Sequence, residues 1–223
     1  MALLNKIGHV LTADLSKEFS LKKKDVGPKT FIERLKKRRQ VQNLGQKVHL
    51  SQNYVSHLIT EAINSCPSYY SLQPLRIVIL YNQSHHRFWQ SVSATERKII
   101  PAQVFAASEL KLQQLQAGFG TILFFHDLNV IEKLKKRLPL EADAITERFT
   151  QVLGMAQFAA WTALADARLG ARLEHYPLAQ KTHLEFGFNE QWLLQGELVF
   201  GSIQENLPQD KPLLATQEIQ IQQ

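Results

Sequence analysis

Residues 141–169 hold the longest helical signal in the chain. Phe149, Val152, Ala156, Ala159, Ala160, Ala163, Leu164 and Ala167 recur at three-and-four spacing and make one broad apolar face. Most of these side chains are small, which lets neighbouring backbones come close, so the helix is expected to be central and packed on several sides. Gly170 stands where a helix C-cap favours a residue without a Cβ. The run at 75–81, LRIVILY, has the branched content of a strand buried on both faces, and 118–125 reads as another interior strand. Residues 171–174 read as a short strand and 193–200 as a further one.

Shorter helices interleave with these strands. Thr30 and Glu33 have capping-box spacing and predict a basic helix to about Arg38. Ser51 opens a helix in which Tyr54, Val55, Leu58, Ile59 and Ala62 form a stripe that must be buried; Pro67 stops it by removing a donor and restricting its predecessor. Residues 82–84 turn the chain into a helix containing His85, Arg87 and Trp89. Helices are also expected at 105–115 and at 128–137, the latter ended near Pro139, and a helix or turn at 181–186. With no repeat and no change of composition, the pattern argues for a single layered domain at 29–223, preceded by an extension at 1–28. The alternating tail at 213–223 reads equally as an edge strand lent to a partner chain or as a frayed end.

An apolar fraction of 44% is enough for a full core without disulfides or a structural metal. Cys66 is the only cysteine, which excludes an internal disulfide and a cysteine-rich zinc site and suits a reducing, cytoplasmic setting. The first ten residues lack the apolar core of a secretory signal, and no run is long enough to span a membrane. The net charge of +6 is an N-terminal property: the first sixty residues hold 12 Lys and Arg against 4 Asp and Glu, and the remainder is slightly acidic. No zinc-finger spacing, RNA-binding aromatic motif or heptad repeat accompanies the basic stretch, so no nucleic-acid partner is expected. Gly118-Phe119-Gly120 lacks the third glycine of a dinucleotide fingerprint, and no P-loop occurs.

Arg38 and Arg39 each present a fixed fork of donors; together they can grip a phosphate from two directions or, with Lys36 and Lys37, simply face water. Ser68, Ser71 and Gln73, in the loop after Pro67, can bind the polar edge of a ring or a ribityl chain, and ordinary turn chemistry accounts for them equally well. Glu174-His175-Tyr176 follow the short strand, where a histidine either contacts a ligand or is a satisfied structural donor. His85 and His86 are adjacent rather than on one helical face, and no HExxH or two-histidine-carboxylate set surrounds them, so no metal centre is expected. No GxSxG elbow supports a serine nucleophile, and Cys66, with no basic neighbour, reads as a small buried hydrophobe.

In their order along the chain, five segments resemble the nitroreductase family of flavin enzymes, with the closest likeness to its short Frm2-like branch. They are RRQVQNLGQK at 38–47, CPSYYSLQPLR at 66–76, AGFGTILFF at 117–125, GMAQFAAWTALADARLGARLEHY at 154–176 and LVFG at 198–201. The resemblance covers about residues 30–203, and it is the combination that is specific. It implies a homodimeric α+β fold of three layers, with a central, mainly antiparallel sheet flanked by helices and FMN at the subunit interface. It assigns Arg38, Arg39 and Gln40 to the phosphate and ribityl chain, and Pro67, Ser68, Ser71 and Gln73 to the flavin. The backbone at Glu174, His175 and Tyr176 is assigned to the border of the isoalloxazine, and Gly201 with Ser202 to the phosphate end.

Three positions depart from the family pattern: Gln40 replaces a serine, Ser71 an asparagine, and Ser202 a lysine or arginine. Losing the last charge-assisted bond costs about 1.5–3 kcal/mol, roughly 10- to 150-fold in affinity. The implied activity is a ping-pong cycle in which NADH or NADPH reduces the flavin, leaves, and is replaced by a small electrophilic acceptor: a nitroaromatic, a quinone or an activated alkene. Solvent can supply the protons, so no catalytic side chain is assigned, and Tyr69 and Tyr70 are stacking or gating residues. The rival readings are an FMN-dependent enone reductase, with a Tyr or His as proton donor, and a non-catalytic flavin-binding protein.

Overall fold

The computed structural model describes residues 28–176 and 179–207. The extension before Pro28 and the tail at 213–223 lie outside the described residues, so the expectations for them rest on sequence alone. The chain divides into two compact units, Met1–Leu35 and Lys36–Gln223, and the whole sheet belongs to the second.

Helix α1 runs from Pro28 to Lys37. Thr30 is therefore inside the helix rather than its cap. After the two-residue strand β1 (Leu44–Gly45) comes α2 (Gln52–Asn64), capped as expected by Ser51, whose hydroxyl accepts the Tyr54 N–H at 3.2 Å. Val55 and Ile59 of its stripe are buried, but Tyr54 is half exposed. Strand β2 (Leu75–Tyr81) leads into α3 (Asn82–Ile99) and α4 (Ala102–Gln116), then β3 (Gly120–Asp127) and α5 (Leu128–Arg137). The long helix α6 spans Ala142–Asp166, followed by β4 (Gly170–Glu174), a 3-10 segment at Ala179–Phe186, and β5 (Trp192–Ile203).

Every strand pair is antiparallel, in the order β1-β5-β3-β2 with β4 also on β5. Alternate residues divide the core into two faces. Ile122, Phe124, Leu198 and Phe200 pack with Val55 and Ile59 of α2 and with Leu153, Ala160 and Leu164 of α6. Leu123, Phe125 and Val199 point the other way, against Phe88, Trp89 and Val92 of α3 and Leu112 and Leu115 of α4. The expected three-layer α+β fold is the observed one.

Two local readings change, while the long helix is packed on several sides as expected. Strand β3 is buried at all eight positions, but β2 is mostly half-buried, because among the described residues it pairs only with β3. Gly170 is not a helix cap: Ala167 caps α6, Arg168 takes the left-handed conformation at φ 62°, and Gly170 opens β4 under Ile203, Leu44 and Val41. Helix α6 is covered by the sheet, α2 and α5, while Gly154 and Phe158 on its other side are exposed. A register shift between Phe124 and Phe125 marks a bulge opposite Gly196, where φ is 157° and a Cβ would lie 3.0 Å from Gln157 Nε2 and 3.3 Å from the Glu174 carbonyl oxygen.

Candidate functional site

The two arginines leave α1 and run onto the free edge of β4. The Val41 N–H donates to the Ala171 carbonyl at 3.1 Å, Gln40 forms a parallel bridge with Ala171, and the Gln40 side-chain amide reaches the Leu173 carbonyl at 3.4 Å. This fixes the backbone beneath Arg38 and Arg39. From α6, Trp161 donates its indole N–H to the Arg39 carbonyl at 3.2 Å. The Arg38 guanidinium carbon lies 4.6 Å from the centre of the Trp161 ring and 5.3 Å from that of Phe158. Arg38 Nε is buried with no hydrogen-bond partner among the described residues, and burial pulls the guanidinium below its ordinary pKa. A cation oriented on an aromatic floor, with a dry unpaired donor, is a place prepared for an anion.

The loop after α2 is built differently. Pro67, Ser68, Ser71 and Gln73 are exposed. Within it Ser68 donates to the Tyr70 carbonyl at 2.9 Å and Gln73 donates to the Ser68 hydroxyl at 3.2 Å. Its tethers are aromatic hydroxyls: Tyr69 donates to Gln151 Oε1 at 2.8 Å, and Tyr70 donates to Glu141 Oε2 and also meets Arg148. Arg76 closes the base, bonding the Gln73 carbonyl at 2.7 Å and pairing with Asp127 at 3.0 Å. Trp161 and Gln151 are ten residues apart on α6, so the two parts lie about 15 Å apart along its axis at 1.5 Å per residue.

At the end of β4, His175 is exposed, but the Glu174 carboxylate is turned inward, bonded by Arg172 Nε and by Lys111 at 2.7 Å. The expectation that the Tyr176 backbone amide faces a ligand is not met: it donates at 3.1 Å to Glu197, a fully buried carboxyl. Gly201 is buried, and a Cβ there would strike the Gly45 carbonyl and lie 3.0 Å from the Phe119 nitrogen, so its missing side chain serves strand packing. Ser202 pairs with Gly45 in β1 and its hydroxyl accepts the Gln204 amide at 2.9 Å. Cys66 is half-buried; burial raises its thiol pKa, and the thiol donates to the Ala62 carbonyl at 3.5 Å. His85 is fully buried between the Thr121 hydroxyl and the Gln116 carbonyl, and burial lowers its pKa to about 4. It is a neutral core histidine, and no cluster with metal-ligand composition occurs among the described residues. A surface cavity of about 420 Å³ lies between α3 and α4 and another of about 540 Å³ lies between α3 and Phe119, and no expected site residue lines either.

Trp161, Arg172, Lys111 and Glu197 were missed by the sequence reading. For Glu197 a signal existed, since it interrupts the apolar run of β5. Trp161 was hidden because it lies 122 residues from the backbone it anchors.

Residues 35–202 match the model of the nitroreductase family. The chain belongs to the nitroreductase family. The HBN1 protein of Saccharomyces cerevisiae is 30% identical over 78% of this chain and 88% of its own. The nitroreductase FRM2 of the same yeast is 28% identical over 82% and 93%. Among solved structures, the nitroreductase CinD from Lactococcus lactis, in complex with chloramphenicol, is 34% identical over 82% of this chain and 94% of that one, with a TM-score of 0.73. CinD has also been solved with nicotinic acid and with 4-nitrophenol.

Proposed function

We propose that this nitroreductase-family protein is an FMN-dependent oxidoreductase that takes electrons from NADH or NADPH and passes them, by ping-pong alternation at one site, to a small electrophilic acceptor. The observation that carries the reading is Arg38, held over Trp161 and Phe158 with a buried Nε that lacks a partner among the described residues. A phosphate suits that planar fork. The residues present therefore fit the phosphate end of FMN. Likeness to CinD supports nitroaromatic acceptors, since chloramphenicol and 4-nitrophenol both carry an aryl nitro group, and likeness to FRM2 supports the Frm2-like branch.

Bound FMN would supply the hydride chemistry. The chain's own part is to bind and orient. Arg38 and Arg39 would hold the phosphate; Gln40, fixed on β4, would follow the ribityl chain. Ser68, Ser71 and Gln73 would offer polar groups to the ring edge, and Tyr69, half exposed in the same loop, would cover an acceptor. The separation of these two parts along α6, and the absence of expected site residues from the two cavities, favour a groove completed by a second copy of the chain in a cytoplasmic homodimer. The exposed Gly154 and Phe158 of α6 are a surface for that contact.

The test is a visible absorbance spectrum after incubation with excess FMN and desalting, followed by anaerobic addition of NADH and then NADPH. A protein-bound flavin spectrum that bleaches is expected. No binding in a flavin-fluorescence titration would overturn the reading and leave a protein without this cofactor. Turnover of nitroaromatics but not of unsaturated carbonyls separates nitro reduction from enone reduction.

A further inference from the structure

Behind the turn that leaves β4 lies a set of ionisable groups that the proposed reaction does not use. Glu197 is fully buried and stands directly across the strand pair from Glu174. Glu197 Oε2 accepts the Tyr176 N–H at 3.1 Å, and Oε1 is buried without a partner among the described residues. Two cations stand nearby: Arg172 of β4 donates its Nε to Glu174 Oε1 while its buried Nη1 has no partner among the described residues, and Lys111 of α4 lies 2.7 Å from Glu174 Oε2 and 5.0 Å from the centre of the Tyr176 ring. From α3, Glu96 faces Tyr176 and is bonded by Ser108. Arg172 and Lys111 both bond Glu174 and neither bonds Glu197, so a further carboxylate buried here is costly to ionise.

We propose that Glu197 is a positioning residue that stores one proton behind the site: neutral, it clasps the Tyr176 amide and fixes the turn carrying His175; ionised, it competes with Glu174 for Lys111 and Arg172 and unsettles that turn. The effect on the flavin rests on the function proposed above; the stored proton does not. Burial, reinforced by the charge of Glu174 and opposed by the Tyr176 amide and Lys111, pushes the Glu197 carboxyl up to about 8. A raised carboxyl contributes stability that is complete below the ordinary carboxylate range and is lost as pH rises to about 8, because the folded state holds a proton that the unfolded state has released.

The experiment combines infrared spectra of the carboxyl stretch with FMN titrations between about pH 6 and 9.5, a range that brackets the transition. Wild type, Glu197→Gln and Lys111→Met are compared. A protonated-carboxyl band is expected in wild type, fading with a midpoint near pH 8, and lost at every pH in Glu197→Gln. FMN affinity falls over the same interval in wild type and stays level in Glu197→Gln. Lys111→Met moves the midpoint upward, since a cation that favours ionisation is gone, and this shift decides the matter if the glutamine variant does not fold. Absence of the band, or identical affinity profiles in wild type and Glu197→Gln, overturns the proposal. Failure of every variant to bind FMN at any pH instead sinks the flavin reading and leaves the band to decide the proton.

Discussion

Arg38–Gln40 and Ser68–Gln73 are both expected to hold the same cofactor, yet they are built in opposite ways. The first is pinned at three points, by the β4 edge, by the Trp161 indole and by an aromatic floor, and still leaves a buried donor unpaired. The second is exposed and closes several of its hydrogen bonds within itself. The difference teaches where binding energy comes from. A preorganised cation gains from an anion without rearranging, whereas an exposed loop exchanges bonds to itself and water for bonds to a ligand, at small net gain.

The largest effect that tests this contrast is Trp161→Ala, which removes the floor under Arg38 and the bond to the Arg39 carbonyl. A loss of about 3 kcal/mol in stability is expected, at the low end for a buried aromatic because this one is half-buried, and urea unfolding measures it. Arg38→Ala leaves the floor and removes the cation. Fluorescence titration is expected to show FMN binding weakened roughly 10- to 150-fold, with the urea midpoint moved much less. An unchanged affinity would break the comparison. Ser202→Lys restores a charge at the end of β5 and is expected to tighten FMN by about tenfold, or ~1.4 kcal/mol, at low salt and by less at high salt. The smallest effect belongs to the loop: Ser71→Asn is expected to change affinity by less than about 1 kcal/mol, the net worth of one exposed hydrogen bond. A larger gain there than at Ser202 would reverse the ranking of the two regions.

Much of this architecture is legible in the sequence, because hydrophobic period and capping chemistry are local. Ser51 capping α2, the Leu75–Tyr81 strand and the Leu128–Arg137 helix all follow from neighbours a few residues apart. The errors share one cause. LRIVILY has the composition of an interior strand, but only pairing decides that β2 is mostly half-buried and β3 the buried centre. Gly170 looks like a cap, but the left-handed residue is Arg168 and the glycine is needed for close packing under Leu44 and Ile203.

The candidate site divides along the same line. Sequence by itself determined the helices and the four longer strands, the three-layer α+β class and, through five ordered segments, the family, because each depends on side-chain period or on residue identity. Tertiary structure alone decided that Arg38 rests on Trp161, that the Tyr176 amide is held by Glu197, and that Glu197 faces Glu174 across β4 and β5. These relations join residues far apart in the chain, and the charge and orientation they impose arise only when folding removes the groups from water and sets them side by side.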